Sequence, residues 1–143
     1  MKTKKIKAII DDMETYVTFK YDSTSIKLTF SEAENFAKIY TAEDMYMCLA
    51  KVRSDFPHIQ FLCKGAKRNV RPSSMASQMS GGMVAYELTL GKRATREDLV
   101  HIFDYEDHNL TNDPQEQDEF YKEWIASIGA DRNYAQGPGT NGS

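Results

Sequence analysis

A chain of 143 residues, 41% hydrophobic and 27% charged, is sized for one α+β or similar globular domain and can bury a core without staples. Its two cysteines, Cys48 and Cys63, make no disulfide framework and lack zinc-site spacing, so they read as buried reduced thiols. A net charge of −3 and a pI near 5.6 disfavour a dominant nucleic-acid-binding role.

The basic start Met1 to Lys7 leads into Ala8-Ile9-Ile10, which ends at Asp11-Asp12. That run is too short for a signal-peptide core or a membrane span, so a soluble, cytoplasmic protein is expected. Lys5 to Ile10 and Tyr16 to Tyr21 have strand composition. Asp22 to Ser25 supplies turn residues, and Ile26 to Phe30 alternates apolar and polar. Three antiparallel strands are the simplest reading of this first quarter.

Ser31 followed by Glu34 has the form of a capping box and predicts a short helix with Ala33, Phe36, Ala37 and Tyr40 on one face. Thr41 with Asp44 predicts the start of a second helix in the same way. Met45, Leu49, Val52 and Phe56 form its stripe, which reads as core, and Pro57 stops it. His58 to Cys63 reads as a strand entering the core. Met83 to Leu90 is the clearest later strand, with Val84, Tyr86, Leu88 and Leu90 expected on one face. Leu99 to Phe103 is expected to pair with it.

The last helix is predicted from Asp113 as N-cap, Pro114 at the first helical position and Glu116 completing the box. Its stripe is Phe120, Trp124 and Ile128, widened by Tyr121 and Ile125, and Gly129 ends it in the C′ role. Residues 130–143 are Gly-, Asn- and Gln-rich and read as a flexible polar tail. The sum is one α+β domain over residues 1–129. It has a mainly antiparallel sheet of about five or six strands and three or four helices.

The connection from Cys63 to Tyr86 is long for a compact domain, and long connections are usually functional or mobile. Lys64, Lys67, Arg68 and Arg71 are its only charges. Pro72-Ser73-Ser74 opens a short helical segment, and Gly81-Gly82 closes it with backbone free to take positive φ. Lys64, Arg68, Arg71, Ser73, Ser74, Gly81 and Gly82 therefore form a candidate anion-binding loop for a carboxylate or phosphate. The alternative is that its arginines pair with the acidic stretch Asp104 to Glu119, which holds seven carboxylates and no Lys or Arg. The chain supplies both charges itself. That acidic stretch reads either as a solvated face or as a surface that steers a basic partner.

Enzyme signatures are weak. His58, His101 and His108 fall in no metal-binding pattern, and His101 reads as a structural histidine in a strand. Ser73 and Ser74 sit where serines cap helices, with no evident base nearby. No catalytic residue, metal or cofactor is expected.

The spacing Cys63-x-Gly65-Ala66-x-Arg68-x-Val70-x-Pro72-Ser73-x-Met75-Ala76-x-x-Met79-x-Gly81-Gly82-x-x-Ala85-Tyr86-x-Leu88 is nonetheless distinctive. With Val100-x-Ile102-Phe103 and Glu116-Gln117-x-x-Phe120-x-x-x-Trp124, it resembles a group of small bacterial proteins over about Phe30 to Ser127. Ser74 stands where that pattern has a glycine. Members of this type resemble cognate immunity proteins of contact-dependent growth inhibition and related polymorphic toxin systems. The resemblance implies a non-enzymatic inhibitor that binds one protein toxin domain, with no direct nucleic-acid or membrane partner. Many such toxins are nucleases with basic clefts. Asp104, Glu106, Asp107, Glu116 and Glu119 would then mimic phosphate, with Tyr105 as anchor. The oligomeric state stays open.

Overall fold

The computed structural model describes residues 1–33 and 36–129. Strands β1 (Lys2–Ile10) and β2 (Met13–Asp22) form a long hairpin. Its two-residue turn is Asp11-Asp12, both at positive φ (51° and 63°), the backbone that matches hairpin twist. β3 (Lys27–Ala33) and β4 (Phe36–Thr41) extend the sheet on one side, and β5 (Ile59–Phe61) closes the other. The order is β4-β3-β2-β1-β5, antiparallel throughout.

Helix α1 (Met45–Asp55) packs on this sheet. Ile6, Ala8, Val17, Phe19, Leu28, Phe30, Ile59 and Phe61 point inward and are buried together with Met45, Leu49 and Val52 of α1. Each large apolar side chain so buried contributes about 1.5–3 kcal/mol. A second sheet, β6 (Val70–Arg71), β7 (Val84–Glu87) and β8 (Leu99–His101), is ordered β6-β7-β8 and antiparallel. Phe103, just after β8, stacks on Phe19 at 5.2 Å and so ties the two sheets together. Helix α2 (Ser74–Ser80) lies between β6 and β7. Helix α3 (Pro114–Ile128) completes a small separate cluster of Leu88, Phe120, Trp124 and Ile128.

The α+β class is as expected, and the first three strands, α1, α2 and α3 are present. The helix predicted from Ser31 is not there. Ser31 lies in β3, and Phe36–Thr41 is an edge strand paired to β3. Aromatic and β-branched residues of that segment satisfy the free hydrogen-bond row of β3, which outweighs a local capping signature. Thr41 therefore ends a strand, and Asp44 is the N-cap of α1, accepting from the Met47 N–H at 2.9 Å.

The expected inward face of β7 is also corrected. Met83 and Ala85 face the main core, Leu88 and Tyr86 face the small cluster, and Leu90 is exposed. The strand is covered on both sides, so alternation alone does not assign its faces. Ile125 is 45% exposed rather than part of the α3 stripe. Gly129 caps α3 at φ −64°, a right-handed conformation, so the left-handed C′ role expected of it is absent. The tail expected to be flexible, residues 130–143, lies outside the described residues, as does Glu34.

Candidate functional site

The long connection is built against the acidic one. From Leu62 to Arg68 the backbone runs beside residues 102–111. The N–H groups of Lys64, Gly65 and Arg68 donate to the carbonyls of Asp104, Ile102 and Asn109, each at 2.8 Å. Glu106 and Thr111 N–H groups return bonds to Leu62 and Ala66. Gly65 permits this approach. A Cβ there would sit 2.7 Å from Leu49 Cδ2 and 2.9 Å from Ile102 Cβ. Ala66 and Val70 are buried beside it.

That juxtaposition brings the charges together. Lys67 Nζ lies 2.6 Å from Glu87 Oε2 and 3.0 Å from Glu106 Oε1, and Lys64 Nζ reaches the same Glu106 oxygen at 3.2 Å. Burial alone would raise the Glu106 carboxyl. The bonds from Lys67 and Lys64 and from the His108 N–H outweigh it and bring it down to about 2. Burial opposes the charge on Lys67, yet Glu87 and Glu106 hold its pKa above the ordinary value. Arg71 Nη1 binds Asp118 at 2.7 Å and stacks over the Tyr121 ring. Arg68 lies over Phe120 and 3.7 Å from Glu123. Every cation of the loop thus has a partner within the chain.

α2 forms as expected, with Ser73 Oγ accepting from the Ala76 N–H at 3.0 Å. Gly81 (φ 64°) and Gly82 (φ 80°) end it in left-handed backbone. The Gly81 carbonyl accepts from Met45 N–H, and a Cβ on Gly82 would meet Asp44 at 2.7 Å. Asp44, nearly buried, also accepts from Ser77 Oγ. Between α1, α2 and the start of α3 lies a cleft of about 560 Å³ whose walls include Glu43, Met47, Arg71, Ser73, Ser74 and Asp118. It therefore holds part of the predicted anion loop, but Arg71 is already engaged there. Lys64 and Arg68 are not among the residues lining it.

The acidic candidates separate into two groups. Asp104, Tyr105 and Asp107 are exposed on the connection, where Tyr105 OH donates to Asp107 at 3.2 Å and Lys7 Nζ sits over the Tyr105 ring. Glu116 and Glu119 are exposed on α3. Glu106 differs from both, because its carboxylate is committed to two ammonium groups and the N–H groups of Asp107 and His108. Glu106, Asp107 and His108 place one ligand atom each within 4.8 Å of one another, but the commitments of Glu106 leave it poorly placed to take a metal.

His101 is half-buried, accepts from the Phe103 N–H through Nδ1, and is pushed toward the neutral form by burial. Cys48 and Cys63 are free, buried and raised to about 11 by desolvation, so neither is a ready nucleophile.

Sequence reasoning missed the buried roles of Arg53 and Gln117, and it placed Asp44 at the start of α1 without identifying it as the N-cap. Arg53 is fully buried, and its Nε and Nη2 donate to the Thr111 carbonyl at 3.1 and 2.7 Å. A charge at a helical position between Val52 and Ser54 carries no signal of burial. Among the described residues no helix is long and apolar enough to cross a membrane. No protein-family model matches this chain, and no curated protein matches it in sequence.

Proposed function

We propose that this chain is a non-enzymatic binding protein that neutralises a cognate protein toxin domain of a contact-dependent growth inhibition or related system. The observation that carries this reading is an asymmetry of charge pairing. Lys64, Lys67, Arg68 and Arg71 each pair with a carboxylate of the same chain. Asp104, Glu116 and Glu119 are exposed, and no salt bridge involves their carboxylates among the described residues. Negative charge is thus left for a partner, while positive charge in the loop is spent on structure. Such a rim speeds association, and Tyr105, 55% exposed, supplies an aromatic anchor. Glu106 is withdrawn from the contact set and acts by positioning the connection.

The test is co-expression with the toxic domain encoded immediately upstream. Copurification and growth rescue are expected, and both are expected to fail for the charge-reversed variant Asp104→Lys/Asp107→Lys/Glu116→Lys/Glu119→Lys. Rescue undiminished in that variant would refute the acidic contact surface.

A second reading, a small-anion site, is favoured only by the cleft that Arg71, Ser73 and Ser74 line. It requires that millimolar phosphate or sulfate raise the melting temperature, and that Arg71→Ala abolish the effect.

A further inference from the structure

The five-stranded sheet has a second face. Strand register places Lys5 opposite Thr18 and Thr18 opposite Ser31. It places Thr3 opposite Lys20, Lys20 opposite Thr29, and Thr29 opposite Ile39. Lys7 faces Tyr16, and Lys27 stands between Asp22 and Thr41. These residues alternate with the buried Ile6, Val17, Phe19, Leu28 and Phe30, so they lie on the side away from the core. Lys5, Lys20, Lys27 and Tyr16 are exposed, and Lys7 is half-exposed.

The face is positive although the chain is not. Among the described residues its carboxylates are Glu14 and Asp22, two against the four lysines Lys5, Lys7, Lys20 and Lys27. Glu14 lies 3.6 Å from Lys7, and Asp22 accepts from the N–H groups of Thr24 and Ser25. At one margin a hollow of about 310 Å³ is lined by Lys4, Lys5, Lys7, Tyr16, Tyr105 and Asp104, among others. Phe103 and Leu62 also line it. Tyr16 is 59% exposed, so two tyrosines present ring surface beside three ammonium groups.

We propose that this outer face binds single-stranded nucleic acid. Lys5, Lys7, Lys20 and Lys27 would take phosphates, Thr18 and Thr29 would offer hydroxyls, and Tyr16 would stack a base. Extended β-faces that join lysines to exposed aromatic rings have the chemistry for this, because phosphate needs cations and every base has a π-face. Of the seven carboxylates of residues 104–119, Asp104 is the one that lines the hollow. Lys5, Lys7, Lys20, Lys27 and Tyr16 lie outside the toxin-binding set, whose Asp104 and Tyr105 border the same hollow.

The experiment is fluorescence anisotropy of the full chain with a labelled oligothymidylate of about twelve nucleotides. Binding is expected at low salt. If all four lysines contact phosphate, affinity should fall about 50-fold between about 50 and about 200 mM salt. Tyr16→Ala should weaken binding about fivefold or more. Lys5→Gln/Lys20→Gln should flatten the salt dependence, with its melting curve confirming an intact fold. Absence of binding at about 100 μM protein in low salt would overturn the proposal. So would binding that ignores both variants, or that polyglutamate of equal charge displaces with no loss on Tyr16→Ala, since an acidic polypeptide would then be the better occupant.

Discussion

Gln117 Oε1 accepts from Arg53 Nη2 at 3.3 Å, while Gln117 Nε2 donates to the carbonyls of Gly65 and Lys67 at 3.1 and 2.7 Å. One amide therefore joins α1, α3 and the long connection. Both side chains are buried, so water cannot replace what either loses.

Replacing Gln117 with Leu should cost about 2–4 kcal/mol, because two buried carbonyls and a guanidinium lose a partner at once. Urea unfolding measures this. A change below about 0.5 kcal/mol would show that the carbonyls are satisfied otherwise.

Glu106→Gln should lower stability near neutral pH and alter its acid dependence. The folded carboxyl sits near 2, below its ordinary value of 4.5. Its contribution is therefore fully present above about 4.5 and is lost as pH falls toward about 2. Melting temperatures between pH 7 and pH 2.5 should decline less steeply in the variant over the lower part of that range. Parallel profiles would contradict the assignment.

Gly65→Ala should destabilise by about 1–3 kcal/mol, since the new methyl has packed carbon on two sides and nowhere to go. Gly91→Ala is the contrast. No atom lies within 4 Å of its Cβ position, so only its φ of 78° opposes the change. Thermal melts of the pair separate steric from backbone cost.

Arg71→Ala should change stability by about 1 kcal/mol or less, because its pair with Asp118 is largely solvated. Lys67→Ala should cost more, about 1.5–3 kcal/mol, because it removes a nearly buried ammonium shared by Glu87 and Glu106 and leaves them only the longer ammonium contacts to Lys64. The order of the two, read from chemical denaturation, is the check.

Much of this architecture was legible in the chain. Strand composition marked β1 and β2, alternation marked β3, and Asp113-Pro114 marked α3 to the residue. Ser31 to Thr41 was misread because a capping box is a two-residue coincidence, whereas β4 exists by pairing with β3, a non-local event. The aromatic and β-branched content of Phe36, Ile39, Tyr40 and Thr41 was the signal available. At the site, the opposite charges of residues 64–71 and 104–119 were readable, and their mutual attraction was foreseen. The particular partners were not. Lys67 with Glu87 and Glu106 depends on the register of two segments that meet far apart in sequence, and Arg53 depends on a carbonyl contributed by Thr111.

The cluster of Leu88, Phe120, Trp124 and Ile128 stands apart from the main core, and the sole tryptophan belongs to it. Its indole N–H donates to the Lys92 carbonyl at 2.9 Å. Intrinsic fluorescence consequently watches the docking of α3 rather than the collapse of the larger sheet. An emission change that precedes loss of far-ultraviolet dichroism would mean that the C-terminal helix can peel away while the rest of the molecule stays assembled.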